Sequence, residues 1–380
     1  VATVPCLYYK TLACGHEARL ITIVDDLLFS EADMRYDIAE STVAFLREKA
    51  QGTVTYEREP KVFAGRVLER TFSDDGDTLK MSMAKRIEDA VALHIPELLG
   101  KGKPPWLLEG KDLMAALDNL EMVAPGERPA KGTSESKEFQ SIVGKNKWFQ
   151  QVTPRLTLAN HRCSCVVACP PEKALGAAKN VLRMAYEDRD VGITFRSKQP
   201  ATESVLKGTI SAHIDLDDTP PSGTLVTGDC TWNLETNGPF KTRDLYAIAL
   251  TRTGAMIYGQ THNMGVVVNS SYVGESITVA KAGEVTERVR EIEIGMGVPP
   301  QGPTLVLTDN KATALVGSGT GSARARHCLR RYATFLQRVE SNEVYLRHLP
   351  DPENPTDFMT KFTTAKKALR SARWLAGAKV

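Results

Sequence analysis

No run in this 380-residue sequence is long and apolar enough to span a bilayer. The longest hydrophobic stretch, residues 20–29, is interrupted by acids and falls well short of the ~20 residues a spanning helix needs. A soluble protein with no membrane partner is therefore expected. Cysteine is scarce: seven residues, an odd number at irregular spacings, do not make the disulfide framework of a small secreted module. An intracellular compartment, cytoplasmic or nuclear, is expected instead. Cys163, Cys165 and Cys169 beside His161 match the spacing of no common structural zinc site. Neither an initiator methionine nor a basic and apolar leader stands at the start, so the sequence reads as a fragment. Net charge is only +2, too little to demand a nucleic-acid partner by itself. Its distribution is uneven: residues 318–380 carry 12 Lys and Arg against 5 Asp and Glu, an excess of +7 that either tracks phosphates or forms a solvated helix face.

What remains is ordinary globular composition, 42% hydrophobic and 25% charged, with length for two or three domains. Low complexity is confined to residues 124–137, rich in Pro, Gly, Ser and charge, which reads as a linker. Before it, 20–29 predicts strand, turn and strand, 67–79 a hairpin broken at 73–77, and 80–99 a helix. After it, residues 140–149 and 171–186 read as helical and 192–196 as a strand. A Pro and Gly cluster at 219–223 marks the next boundary. Beyond it the pattern predicts strands at 224–233, 246–251 and 255–259, a helix over 270–296 and a strand at 304–308. Helices near 322–340 and 354–375 then flank a last strand at 343–348. Three strands followed by alternating helix and strand give an α/β (α+β) fold, a mixed sheet with helices on its faces.

Four acids stand out within this frame. Residues 304–308 are an almost unbroken β-prone run, as a strand buried on both faces should be, and end at Asp309; the acid is placed either for a ligand beyond the strand's carboxyl end or for an Asx turn or helix cap. Glu275 extends the stripe Thr278, Ala282, Val285, Val289 and Ile292 on one face of the long helix. A carboxylate there needs a cation or donors to meet it, unless the helix start frays and leaves it in water. Asp229 lies on one side of its strand with Leu225 and Thr227, the other side carrying Val226, Cys230 and Trp232, and one of the two sides must be the wetter. Asp357 follows Asn354 and Pro355 in the first turn of the last helix, where the helix dipole favours an acid in any case. Lys366, Arg370 and Arg373 share one face of that helix, opposite Phe362, Ala365, Leu369 and Ala372, either as a contact to a nucleic-acid backbone or as a plain solvated face.

The order of these acids, first strand, first long helix, fourth strand and last helix, is that of the RNase H fold, and the local motifs sharpen the likeness. G-D-C-T-W at 228–232 resembles the S-D-A-D-W of copia-type RNase H, and S-S-Y-V-G-E-S at 270–276 its S-S-T-E-A-E-Y. L-T-D-N at 307–310 matches the third acidic motif, R-H-C-L-R-R-Y at 326–332 resembles K-H-I-D-I-R-Y, and N-P-T-D-F-M-T-K at 354–361 resembles N-x-A-D-x-x-T-K. Upstream, V-D-D-L-L at 24–28 is similar to the Y-V-D-D-L-L turn of the reverse transcriptases of these retrotransposons, F-A-G at 63–65 to their following palm strand, and S-I-V-G at 141–144 with A-A-K-N-V-L-R at 177–183 to their connecting region.

The resemblance implies the C-terminal part of a copia-type retrotransposon polyprotein: partial reverse-transcriptase palm and thumb at 1–123, a linker at 124–138, a connection region at 139–223 and an RNase H-like five-stranded mixed sheet at 224–380. It implies hydrolysis of RNA in RNA/DNA hybrids with two Mg²⁺ ions, or Mn²⁺ in their place, Asp229 bridging the two, Glu275 and Asp309 holding one and Asp357 the other. His327 would assist product release or serve as a capping or surface histidine, and Asp25 and Asp26 would belong to the polymerase palm. The implied partners are the hybrid, a template-primer, and the palm and fingers of the same polyprotein. Departures also count. The first polymerase Asp has no counterpart, Ile23 replaces the aromatic before V-D-D, T-P-R-L at 153–156 departs from T-R-P-D, and Thr231 and Val273 replace secondary acids. Polymerisation is accordingly expected only of the intact protein, and a decayed or repurposed copy that binds nucleic acid without cutting it is the alternative.

Overall fold

The structure is a computed structural model, and it describes residues 7–11, 17–23, 26–31, 38–49, 54–57, 60–74, 76–100, 104–121, 133–197, 223–232, 244–252, 255–266, 268, 270–317 and 329–377. Strands β1 (Leu7–Thr11), β2 (Glu17–Ile23) and β3 (Asp26–Glu31) form an antiparallel sheet, and helix α1 (Ile38–Lys49) follows. A second sheet pairs β4 (Val62–Phe63), β5 (Arg66–Thr71), β6 (Thr78–Ser82) and β7 (Ile193–Arg196) in that order. Between β6 and β7 lie helices α2 (Ala84–His94), α3 (Gly110–Asp118), α4 (Ser134–Phe149), α5 (Thr157–Cys165) and α6 (Ala174–Glu187).

These helices share one apolar core, in which Ile87, Leu117, Phe139, Ile142, Leu156 and Leu182 are all buried. Residues expected on either side of a linker at 124–138 thus build a common unit. Ser134 to Lys137 themselves are the first turn of α4, because Thr133 caps it, accepting the Ser136 N–H at 3.2 Å. The helix expected over 80–99 begins only after β6, since Lys80 and Met81 pair with Thr194 and Ile193. Helices α1, α3 and α5 were not foreseen; α5, T-L-A-N-H-R-C-S-C, carries no apolar stripe to read.

The third sheet is built from β8 (Thr224–Cys230), β9 (Leu245–Arg252), β10 (Ala255–Asn263), β11 (Thr304–Thr308) and β12 (Val344–His348), in the order β10-β9-β8-β11-β12. β8, β9 and β10 are antiparallel, whereas β11 runs parallel to both β8 and β12. Parallel neighbours need crossovers, and helices provide them. Helix α7 (Ser271–Gly295) leads from β10 to β11, and α8 (Lys311–Gly317) and α9 (Leu329–Glu340) lead from β11 to β12. A 3-10 turn at Asp357–Met359 and helix α10 (Ala365–Leu375) follow.

Alternate residues of the central strands enter two different cores. Val226 and Val306 face α7 and α9, with Ile248, Ala282, Tyr332 and Phe335. Leu225, Leu305 and Leu307 face the other side, where Phe358, Met359, Trp374 and Leu375 cover them. The side of β8 that carries Asp229 is the covered one: Leu225, Thr227 and Asp229 are all buried under the 357–359 turn and α10.

Three further expectations change. The single helix over 354–375 is a 3-10 turn followed by α10, because Thr364 starts a new helix by accepting the Lys367 N–H at 3.3 Å. Asp357 consequently sits in the turn and not in the first turn of the helix. α8 was hidden behind the acid motif, its start marked by the Thr313 N–H donating to Asn310 Oδ1 at 3.0 Å. On α7 the buried stripe drifts: Ile292 is exposed and its place is taken by Glu293, which is buried and ion-paired to Arg252.

The second and third sheets are joined at β7. The Thr194 N–H donates to Ala376 O at 2.9 Å, and Phe362 packs against the helical core. Gly377 has φ +76°, and a Cβ on it would lie 2.2 Å from Thr194 O, so only glycine closes this junction. No helix among the described residues is long and apolar enough to cross a membrane.

Candidate metal centre

The parallel pair β8 and β11 ends at the same edge of the third sheet, which brings Asp229, one residue before the end of β8, beside Asp309, the residue after β11. Asp357 arrives from the 3-10 turn laid over the same edge. Carboxylate oxygens of Asp229, Asp309 and Asp357 lie within 4.8 Å of one another, the only such cluster of potential metal ligands among the described residues.

The turn is fastened by side chains. Asn354, fully buried, donates through Nδ2 to Gly228 O at 3.0 Å and to Asp309 Oδ2 at 3.1 Å, while its Oδ1 accepts the Thr356 N–H at 3.0 Å. Thr360 donates its hydroxyl to Asp229 Oδ2. One polar side chain thus holds both strands and the loop.

Glu275 approaches from α7 because two glycines let helix and strand meet. A Cβ on Gly274 would lie 2.7 Å from Cys230 Sγ, and one on Gly228 would lie 2.8 Å from Thr278 Cγ2. The helix start is not frayed. Ser270 caps it by accepting the Val273 N–H, and Glu275 is 3% exposed. Its Oε1 accepts the Cys230 N–H at 3.0 Å and its Oε2 accepts the Thr308 hydroxyl at 2.8 Å. Glu275 therefore stands beside the three aspartates with both oxygens oriented by donors.

Three of these acids, Asp229, Glu275 and Asp309, resist ionisation. Burial, then the negative charge of Glu275 and more weakly of Asp309 and Asp357, holds Asp229 well above the usual carboxylate range, with Lys361 opposing. Burial and Asp309 push Glu275 up to about 7, against the hydrogen bonds from Thr308 and Cys230. Asp309 is raised by burial, opposed by the Asn354 hydrogen bond and reinforced by Asp357.

Two lysines balance this charge. Lys361 Nζ lies 3.1 Å from Asp357 Oδ1, and Lys367 Nζ is bonded to Asp357 Oδ2 and to Asp351 O at 3.1 Å. Burial works against the Lys361 ammonium, but Asp229 and Asp357 outweigh it and its pKa rises. Thr360, Asn354, Lys361 and Lys367 were missed as site residues. Lys367 had a readable signal: it shares a stripe with Ser371 and Trp374, both buried, at spacings of four and three.

Lys366, Arg370 and Arg373 are exposed on α10, and Arg370 also donates to Pro352 O at 2.8 Å. The side opposite them is only in part the one expected: Ala372 is buried, Leu369 is not. Ser371, Ala372, Trp374 and Leu375 are buried, while Leu369 is 38% exposed, because the helix begins at Ala365 with its own phase. His327 and Asp25 lie outside the described residues, and Asp26 is described only as the first residue of β3. Cys163 is buried in the helical core, and His161 Nε2 contacts Cys165 Sγ at 3.5 Å and Asn263 Oδ1 at 3.4 Å, with no set of three ligands around them among the described residues.

No protein-family model matches the chain, and no curated protein matches it. Among solved structures it is similar to LC11-RNase H1 in complex with an RNA/DNA hybrid, at 12% identity and a TM-score of 0.27 over 34% of this chain and 88% of that one. It is also similar to the prototype foamy virus protease-reverse transcriptase, at 13% identity and a TM-score of 0.25 over 45% of this chain. The match spans 22% of the foamy virus protein's length. The RNase H-like fold of residues 224–377 is read from the strand order, the strand directions and the helical crossovers themselves.

Proposed function

We propose that the chain is the C-terminal part of a copia-type retrotransposon Pol polyprotein and that its third sheet is a metal-dependent RNase H, cutting RNA paired to DNA. The observation that carries this reading is the meeting of Asp229, Asp309 and Asp357 within 4.8 Å at the edge of the β8–β11 pair, with Glu275 beside them. The donor set fits a hard cation such as Mg²⁺, because the clustered ligand atoms are all carboxylate oxygens and neither sulfur nor imidazole joins them.

Asp229, Asp309 and Asp357, with Glu275, would hold two such ions. Bound there, the metal supplies an activated water and neutralises the charge that develops on the leaving 3′ oxygen. The chain's own part is placement. Thr360 fixes the rotamer of Asp229, Asn354 fixes Asp309 against Gly228, and Cys230 and Thr308 fix Glu275. Lys366, Arg370 and Arg373 are exposed on α10, the helix that carries Lys367 into the site, and would engage phosphates of the hybrid or template-primer. Polymerisation would belong to the intact polyprotein, which supplies the rest of the palm and the fingers.

The test is Mg²⁺-dependent cleavage of a hybrid labelled on its RNA strand, beside a DNA duplex of the same sequence. Cleavage of the hybrid alone is expected, and an intact hybrid at saturating Mg²⁺ would overturn the reading. One observation favours a protein that binds without cutting: both oxygens of Asp357 are engaged by lysines. In that case the hybrid is retained and stays whole.

A further inference from the structure

Asp357 differs from the other acids of the site in what meets it. Asp229 and Asp309 each receive one neutral hydrogen bond, from Thr360 and Asn354. Asp357 receives two cations. Its side chain is 2% exposed, Lys361 reaches Oδ1 from four residues along the chain, and Lys367 reaches Oδ2 from a different element, the first turn of α10. The two lysines are not equivalent. Lys361 is 45% exposed and is shared with Asp351 at 3.7 Å. Lys367 is 21% exposed and its ammonium is held on two sides, by Asp357 Oδ2 and by Asp351 O at 3.1 Å. A cation docked this way neutralises the carboxylate and occupies an oxygen that a metal would take.

We propose that Lys367 is a resident counter-ion that competes with a divalent cation for Asp357, so that this position fills only when the lysine is displaced. The inference rests on the metal-centre reading above and names the residue that decides how many ions the site takes. Its physical basis is direct: an ammonium and a divalent ion on one carboxylate repel each other strongly at low exposure. Displacement has a built destination, because the neighbouring Lys366 and Arg370 are exposed on the same helix and a phosphate drawn to them would also receive Lys367.

A lysine that merely pins the 351–359 loop to α10 would make a different forecast. Losing such a pin loosens the loop and weakens metal binding, whereas losing a competitor strengthens it. Mn²⁺ binding to the full chain, counted by electron paramagnetic resonance and titrated by calorimetry, separates the two. Lys367→Met is expected to bind a second Mn²⁺, or to bind its weaker ion about tenfold more tightly than wild type. Lys367→Gln, whose amide can still donate to Asp351 O, is expected to do the same with less loss of stability.

In the wild-type chain, a Mg²⁺ titration followed through the lysine ¹⁵Nζ resonances should release the Lys367 ammonium to fast exchange with water. Unchanged or weaker Mn²⁺ affinity in the variants overturns the proposal, as does a Lys367 signal that persists through Mg²⁺ saturation. If those results accompany normal hybrid cleavage, the metal centre stands and only the competition falls. If neither wild type nor variants bind Mn²⁺, both fall together.

Discussion

Replacing Glu275 with glutamine is expected to stabilise the protein at pH 8 and to leave its stability at pH 5 nearly unchanged, provided divalent ions are chelated. Burial and Asp309 lift the carboxyl from its ordinary 4.5 to about 7, so the folded chain holds this proton more tightly than the unfolded chain does. A raised acid of this kind costs nothing below pH 4.5. Its cost grows as the pH climbs from 4.5 to 7 and stays constant above. The rise to about 7 corresponds to roughly 3 kcal/mol. Glutamine is nearly isosteric and keeps both contacts: its carbonyl accepts the Cys230 N–H, and its amide donates to the Thr308 hydroxyl oxygen once that hydroxyl turns. Most of the ~3 kcal/mol should therefore appear as added stability, on the order of 5–10 °C in Tm for a domain of this size. Thermal unfolding followed by circular dichroism in EDTA at pH 5 and pH 8 reads the difference. A variant less stable than wild type at pH 8, or equally shifted at both pH values, would refute the reasoning that Glu275 is a buried acid under like-charge strain.

Four other outcomes follow from the same geometry. Asn354→Ala removes the bonds to Gly228 O and Asp309 Oδ2 together with the cap on Thr356; a loss of about 2–4 kcal/mol in urea unfolding is expected, with weaker Mn²⁺ binding. Gly274→Ala puts a methyl 2.7 Å from Cys230 Sγ and should cost about 1–3 kcal/mol while pushing Glu275 off the Cys230 N–H, which a fall in both Tm and hybrid cleavage would register. Thr360→Val deletes the donor to Asp229, and cleavage should drop with little change in hybrid affinity, measured by comparing kcat with filter binding. Lys366→Ala with Arg370→Ala should weaken hybrid binding and flatten its dependence on salt by about one counterion per lost phosphate contact; an unaltered salt slope assigns the face to solvent.

The legible parts of this protein are those where one local rule decides. Residues 304–308 could only be a strand buried on both faces, and β11 is that strand, parallel to both its neighbours. The long helix was readable from its apolar stripe, and with it the burial of Glu275. What the pattern could not reveal is closure between distant segments. Which side of β8 is wetter could not be read, because the cover over Asp229 comes from Phe358, Met359, Trp374 and Leu375, more than a hundred residues away. Asp357 was read as helical because N-P-T-D has the chemistry of a helix start, yet Asn354 spends its side chain on Gly228 and Asp309, and Thr364 begins the helix instead. Lys367 was passed over as one cation in a basic helix, although its stripe with Ser371 and Trp374 pointed inward. In each case a polar side chain has two competent uses, and the tertiary partner selects one.

The central claim is that the cluster of Asp229, Asp309 and Asp357 is a metal centre for cutting RNA in a hybrid. The most direct measurement is a time course of hybrid cleavage by the full chain at 0 and saturating Mg²⁺, with Asp229→Asn and Asp309→Asn alongside. Cleavage by wild type that requires Mg²⁺ and disappears in both variants, while each stays folded and still binds the hybrid, is the predicted result. Cleavage that survives either substitution, or a wild-type chain that binds the hybrid and leaves its RNA whole, would contradict it.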